Sequence, residues 1–195
     1  MTTAVTTEIT VHRRPGNAAV LGARIAVAGA ALFLAALCGS YIAVRTGVGA
    51  EFVPTAMKFN NYAAVMTLIS ALLASFVVEW AYVSLTLGQR RWASGGYGLS
   101  ALLGLAAMNL VWFIGARLGL AVNDVNGYAL LVYAVLATAM ALFGAAVVAS
   151  LLTLVRHLGG HASATEPLLA RAGNMFVHLA SVGWVAVFAL IFLYK

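Results

Sequence analysis

Two titratable side chains fall inside long apolar runs, and any chemistry would have to start with them. Glu79 interrupts an otherwise uncharged stretch between Lys58 and Arg90, and His178 is the only histidine between Arg171 and Lys195. A carboxyl at membrane depth is costly enough to mark a functional candidate. It could carry a proton or ligate an ion. The competing reading, and the expectation, sets Glu79 within reach of the cytoplasmic interface, paired with Arg90, Arg91 or a neighbouring subunit. His178 could ligate haem or a metal, but a haem held by two histidines needs both at matching depth. His157 falls at a membrane edge, His12 and His161 fall in polar segments, and no Cys/His/Asp group has ligand spacing. The expected role of His178 is therefore a hydrogen bond across helices, to Ser181, Asn109 or a lipid headgroup. Asn109 lies deep in another apolar run and is expected to bond a neighbouring helix, because a buried amide needs partners. Trp80, Trp92, Trp112 and Tyr194 fit interfacial anchors. There is no phosphate loop, nucleophile elbow, carboxylate pair or zinc pattern, so no catalytic, cofactor-binding or metal-binding residue is expected on this chain.

The elements that position these residues follow from composition. Of 195 residues, 64% are hydrophobic and 8% charged, with a mean hydropathy of +1.00; soluble domains run nearer a quarter charged. This excludes a soluble globular enzyme, a disordered chain and a collagen-like chain. The net charge of +6 is scattered between apolar runs. It makes no basic face, so nucleic acid is not an expected partner. The single cysteine excludes an intrachain disulfide.

Charges punctuate the chain. Arg24 to Arg45 encloses 20 residues, Lys58 to Arg90 31, Arg91 to Arg117 25, Asp124 to Arg156 31, and Arg171 to Lys195 23. A spanning helix needs about 20 apolar residues. The chain is therefore read as all-α, a polytopic membrane protein of five transmembrane helices at 20–46, 61–88, 95–117, 125–156 and 171–194, behind an N-terminal tail at 1–19. Lipid leaves an open strand edge without partners, and the short alternating segments of a barrel are missing. Asn61, Ser94 and Asn126 sit where helix caps are expected, and Pro54 and Pro167 fall in connections. Gly104 with Ala107 and Met108, and Gly144-Ala145-Ala146, read as small-residue packing seams.

With the N-terminus inside, Arg13, Arg14, Arg24, Arg90, Arg91, Arg156 and Arg171 fall on the cytoplasmic side. Arg45, Lys58, Arg117 and Lys195 fall outside, seven against four. The bias of basic residues predicts a cytoplasmic N-terminus and an outside C-terminus. The first apolar run is longer than the roughly 7–15 residues of a signal-peptide core and is read as a helix. To this point the residues leave open a structural subunit and a small proton-coupled transporter using Glu79.

The last helix narrows the choice. The run Asn174-Met175-Phe176-Val177-His178-Leu179-Ala180-Ser181-Val182-Gly183-Trp184, closing Phe192-Leu193-Tyr194-Lys195, resembles the final helix of subunit III of haem-copper oxidases. That family carries Trp-His-Phe-Val-Asp-x-x-Trp followed by a short apolar tail. His178 and Trp184 keep the spacing; Ser181 stands at the acid and Val177 at the first Trp. Other segments are similar in order: Phe33 to Arg45 with Tyr41 near its end, Ser75 through Glu79-Trp80-Ala81 and then Arg90-Arg91, and Gly127-Tyr128 to Gly144-Ala145. Five helices suit the short bacterial form. The family's embedded Glu falls here at about Ala30, and its two histidines of the next-to-last helix at about Ala139 and Leu142.

The resemblance implies a non-catalytic subunit of a bacterial plasma-membrane cytochrome c oxidase. Such a subunit packs against catalytic subunit I and holds phospholipid. It carries no cofactor of its own; the haem and copper reside in subunit I. It supports oxygen reduction coupled to proton translocation. His178 and Trp184 would fix the last helix in the bundle, and Glu79 would be a polar contact near the cytoplasmic face.

Overall fold

The computed structural model describes residues 15–53, 60–120, 127–160 and 167–193. Among them are five long helices and no strand: α1 (Pro15–Val48), α2 (Asn61–Thr86), α3 (Arg90–Leu118), α4 (Tyr128–Leu158) and α5 (Leu168–Phe188). A short 3-10 turn, Gly49–Phe52, follows α1, and a π-helical turn, Ala189–Leu193, extends α5. All five helices are long and apolar enough to cross a membrane, since about 20 residues suffice. The architecture is compatible with an integral membrane protein. Of the expected tail, residues 1–14 lie outside the described residues, as do Pro54, Lys58, Asp124, Asn126, His161, Tyr194 and Lys195.

Helix ends differ from expectation in informative ways. The α2 cap is Asn60 rather than Asn61: its side chain accepts from the Ala63 amide at 3.0 Å. Ser94 caps nothing. It lies one turn inside α3 and returns its hydroxyl to the Arg90 carbonyl, because the helix starts at Arg90 instead of 95. The tight α2–α3 connection explains the earlier start. Gly88 takes the left-handed conformation at φ 73°, and the amides of Gly88 and Gln89 turn back onto the carbonyls of Leu85 and Ser84. That closes α2 with a glycine C-terminal motif and leaves no room for a longer loop.

Helices α2, α3, α4 and α5 form a closed ring of neighbours, and α1 lies outside the ring against α5 and α4. α5 is the most buried span and α1 the least. Along the inner face of α5, Ala170, Asn174, Val177, Ser181, Trp184 and Val187 are buried at alternating helical intervals. α1 contributes Leu34 and Tyr41 to the core, and Tyr41 packs edge-on to Phe52, which packs edge-on to Tyr128.

Small residues set how closely the helices approach. Ala81 of α2 rests directly on Gly96 of α3, Gly104 of α3 seats Val147 of α4, and Met108 reaches Gly144. The seam read from Gly104, Ala107, Met108 and Gly144 is thus the α3–α4 contact, although Ala145 points outward. Lipid is as apolar as a side chain, so helices associate through close packing and polar contacts rather than hydrophobic burial.

A Cβ at Gly96 would come within 2.6 Å of Ala81 Cβ, whereas one at Gly95 meets nothing within 4 Å. Gly96→Ala is expected to cost about 1–3 kcal/mol by overpacking. Gly95→Ala should be neutral or stabilising by up to about 1 kcal/mol. Equilibrium unfolding in detergent separates the two; equal effects would contradict the α2–α3 register.

Candidate functional site

The polar side chains of α5 converge on α2. Asn174 Nδ2 donates to the Val78 carbonyl at 3.3 Å, Ser181 Oγ to the Ala71 carbonyl at 2.6 Å, and Trp184 Nε1 to the Ala64 carbonyl at 3.3 Å. The acceptors recur every seven residues, so they form one stripe along α2 facing α5. Each lies inside a helix, and donors from α5 engage it beside the helical ladder. A carbonyl has two lone pairs, which makes this double acceptance possible.

His178 occupies the outer edge of the same seam. Its Nδ1 lies 2.5 Å from Ser75 Oγ, and its Nε2 lies 3.3 Å from Glu79 Oε2. Ser75 and Glu79 are four residues apart and share a face of α2. The direction of the bonds follows from the network. An ionised carboxylate only accepts, so the contact to Glu79 places a proton on Nε2. In the neutral ring Nδ1 is then the acceptor for the Ser75 hydroxyl.

This arrangement corrects three expectations. Glu79 pairs with His178, across helices, rather than with Arg90 or Arg91. His178 makes the expected bond across helices, but to Ser75 and Glu79 rather than to Ser181 or Asn109. Asn109 lies exposed on α3 and, among the described residues, bonds no neighbouring helix. Glu79 sits about 10 Å along α2 from its end, just inside the Trp80–Trp92 pair, whose rings meet edge-to-face at 5.6 Å. Both tryptophans are exposed, as interfacial anchors are.

Arg90 and Arg91 part company. Arg90 Nη2 donates to the Leu158 and His157 carbonyls at 2.9 and 3.3 Å, and His157 Nε2 donates back to the Arg90 carbonyl at 3.1 Å. Arg90 thereby gives the Leu158 carbonyl a donor at the C-terminus of α4 and shares the His157 carbonyl with the Gly160 amide. Arg91 is exposed.

Single-residue reasoning missed the buried interior of this cluster. Tyr97 Oη and Asn174 Oδ1 are buried side by side and, among the described residues, have no partner other than each other. Ser100 bonds the Ala74 carbonyl and lies 3.5 Å from Ser150 Oγ. A signal was present: Asn174, His178 and Ser181 follow helical spacing, and so do Ser75 and Glu79.

Two clefts open elsewhere on the surface. One of about 360 Å³ lies between α3 and α4, lined by Trp112, Tyr133 and Met140 among others. The second, about 430 Å³, lies between α1, α4 and α5, apolar along Ala26, Leu152 and Phe176 with Arg156 in its wall. Among the described residues no three His, Cys, Asp or Glu side chains converge as a metal site. The chain matches no protein-family model and no curated protein sequence.

The seam should respond unevenly to substitution. Trp184→Ala is expected to cost about 3–5 kcal/mol, and Ser181→Ala about 0.6–2 kcal/mol. Glu79→Gln should cost under about 1 kcal/mol, because that pair is exposed. Unfolding of the isolated chain in detergent measures all three; a Glu79→Gln loss rivalling Trp184→Ala would make the pair a core element.

Proposed function

We propose that this chain is a non-catalytic, subunit III-like component of an aerobic respiratory haem-copper oxidase in a bacterial plasma membrane. Its N-terminus is cytoplasmic and its C-terminus outside. It packs against the catalytic subunit, which carries the haems and copper, and holds phospholipid. The complex reduces oxygen with electrons from cytochrome c and translocates protons. One observation carries the reading: the two residues that keep the family spacing, His178 and Trp184, are among those that attach α5 to α2. A motif used for anchoring suits a subunit whose work is packing.

Further support comes from the surface. α1 turns Leu21, Ile25, Leu32 and Phe33 outward, and α2 turns out Leu72, Leu73 and Phe76. Apolar faces of this extent suit lipid and partner helices. The cleft between α1, α4 and α5 fits an acyl chain, with Arg156 placed for a phosphate.

The Glu79–His178 pair favours one second reading, a small proton-coupled transporter. Against it, neither cleft includes Glu79 or His178, and α2 runs unbroken past Glu79, whereas transporters bind substrate at interrupted helices.

A mild-detergent pull-down of the tagged chain, with an absorption spectrum and mass analysis, tests the proposal. Co-purification of a haem-containing subunit with oxygen consumption is the expected result. A colourless chain recovered alone would overturn it and move the test to proton-coupled uptake, which Glu79→Gln should then abolish.

A further inference from the structure

The outward half of the α2–α5 seam is unfinished. Glu79 and His178 bond each other, yet their side chains remain 55% and 41% exposed. Counted formally at pH 7, with histidine neutral, the Glu79–His178 pair carries one negative charge. Oε1 of Glu79 takes no donor among the described residues. The exposed Arg171, two turns before His178 on α5, forms no ion pair with it. Around the carboxylate the surface is apolar, with Leu72, Phe76 and Val83 exposed on α2 and Val182 on α5. Hydrocarbon supplies no donor and no countercharge, and a lone charge against it is strongly disfavoured.

We propose that this face is an intramembrane docking surface for a transmembrane helix of another subunit that presents a Lys or Arg to Glu79 Oε1. The occupant follows from charge complementarity: an anionic acceptor ringed by apolar side chains fits a cation carried on an apolar helix. His178 and Ser75 hold the carboxylate in place from the opposite side. The proposal rests on the accessory-subunit reading and adds which face meets the partner and what chemistry the partner brings.

The test places a photo-crosslinking residue at Phe76 or Val182 of the tagged full chain in native membranes, with Trp112 on the far side as control. Adducts from 76 and 182 are expected on one transmembrane helix of another subunit, within about a turn of a Lys or Arg. Glu79→Gln should lower recovery of that subunit about tenfold, the effect of one interhelical polar contact. Replacing the partner cation by Gln should give the same loss, and the double substitution no more.

Adducts only to lipid, or to a second copy of this chain, would overturn the proposal. So would unchanged recovery with Glu79→Gln, or an Arg171→Ala effect equal to it, which would mean that Arg171 itself neutralises the carboxylate. If a haem-containing subunit co-purifies but crosslinks only from other faces, the docking surface fails and the oxidase reading stands. If a partner crosslinks here through its cation and no haem-containing subunit co-purifies, the docking surface stands and the oxidase reading fails.

Discussion

The carbonyl stripe on α2 is the constraint around which the bundle is arranged. Carbonyls at Ala64, Ala71 and Val78 each receive a side-chain donor from α5. For a donor to reach a carbonyl within the helical ladder, the two backbones must be close and nothing bulky can stand between them. The α2 residues at these positions are accordingly Ala, Ala and Val, all fully buried. In lipid this matters more than in water. Apolar contact with a neighbouring helix gains little over contact with an acyl chain, so polar donation and tight fit decide which helices meet. Three donations along one seam fix the axial register of α5, because a shift of one residue would break all of them together.

Everything else hangs on α5 once it is placed. Trp184 lies 6.2 Å from Phe143 of α4, ring centre to ring centre, and 6.4 Å from Phe192 of the terminal π-helical turn. Gly183 lets Leu34 of α1 and Leu142 of α4 approach that helix closely. The ring then closes through α3, whose Gly96 accepts Ala81 and whose Gly104 accepts Val147. At the arginine-bearing end, Arg90 and His157 exchange bonds between the start of α3 and the end of α4. α1 is tied in chiefly through Tyr41, whose ring meets Phe52 and Tyr128. Its buried residues Val20, Ala23, Leu34 and Tyr41 lie on a narrow stripe, and much of the rest of its surface is exposed. The fold therefore divides into a cross-linked four-helix ring and one helix added to its flank.

The elements were legible because charge spacing alone marks an apolar helix. Arg45, Arg117 and Arg171 each sit near a helix boundary, whereas Arg24 lies well inside α1, which begins at Pro15. Boundaries erred where the last or first turn contains charge: Arg90 and Arg91 look like a loop, yet Arg90 begins α3 because its guanidinium has carbonyls of α4 to bind. The site was half legible. His178 and Glu79 stand out as rare groups in apolar runs, but a single chain position does not reveal its partner. The i, i+4 pairs Ser75–Glu79 and Asn174–His178 were readable as polar stripes, and two such stripes on different helices have strong reason to meet. Asn109 shows the opposite failure. Its depth in the sequence implied burial, but on α3 it falls on the face turned away from the ring.

The placement of the polar groups also separates two jobs that one seam performs. Asn174, Ser181 and Trp184 face inward, bond backbone carbonyls and are almost completely buried; a backbone acceptor cannot change charge, so these bonds only hold. Ser75, His178 and Glu79 face outward and bond one another through side chains that can exchange protons and partners. The inner set makes the outer set rigid: His178 is flanked one turn on either side by Asn174 and Ser181, each tied to α2. A carboxylate held at a fixed height on a rigid face is poorly suited to carrying an ion between two sides of a membrane, which requires the site to change exposure. It is well suited to recognition, where a preformed acceptor lowers the ordering cost of binding.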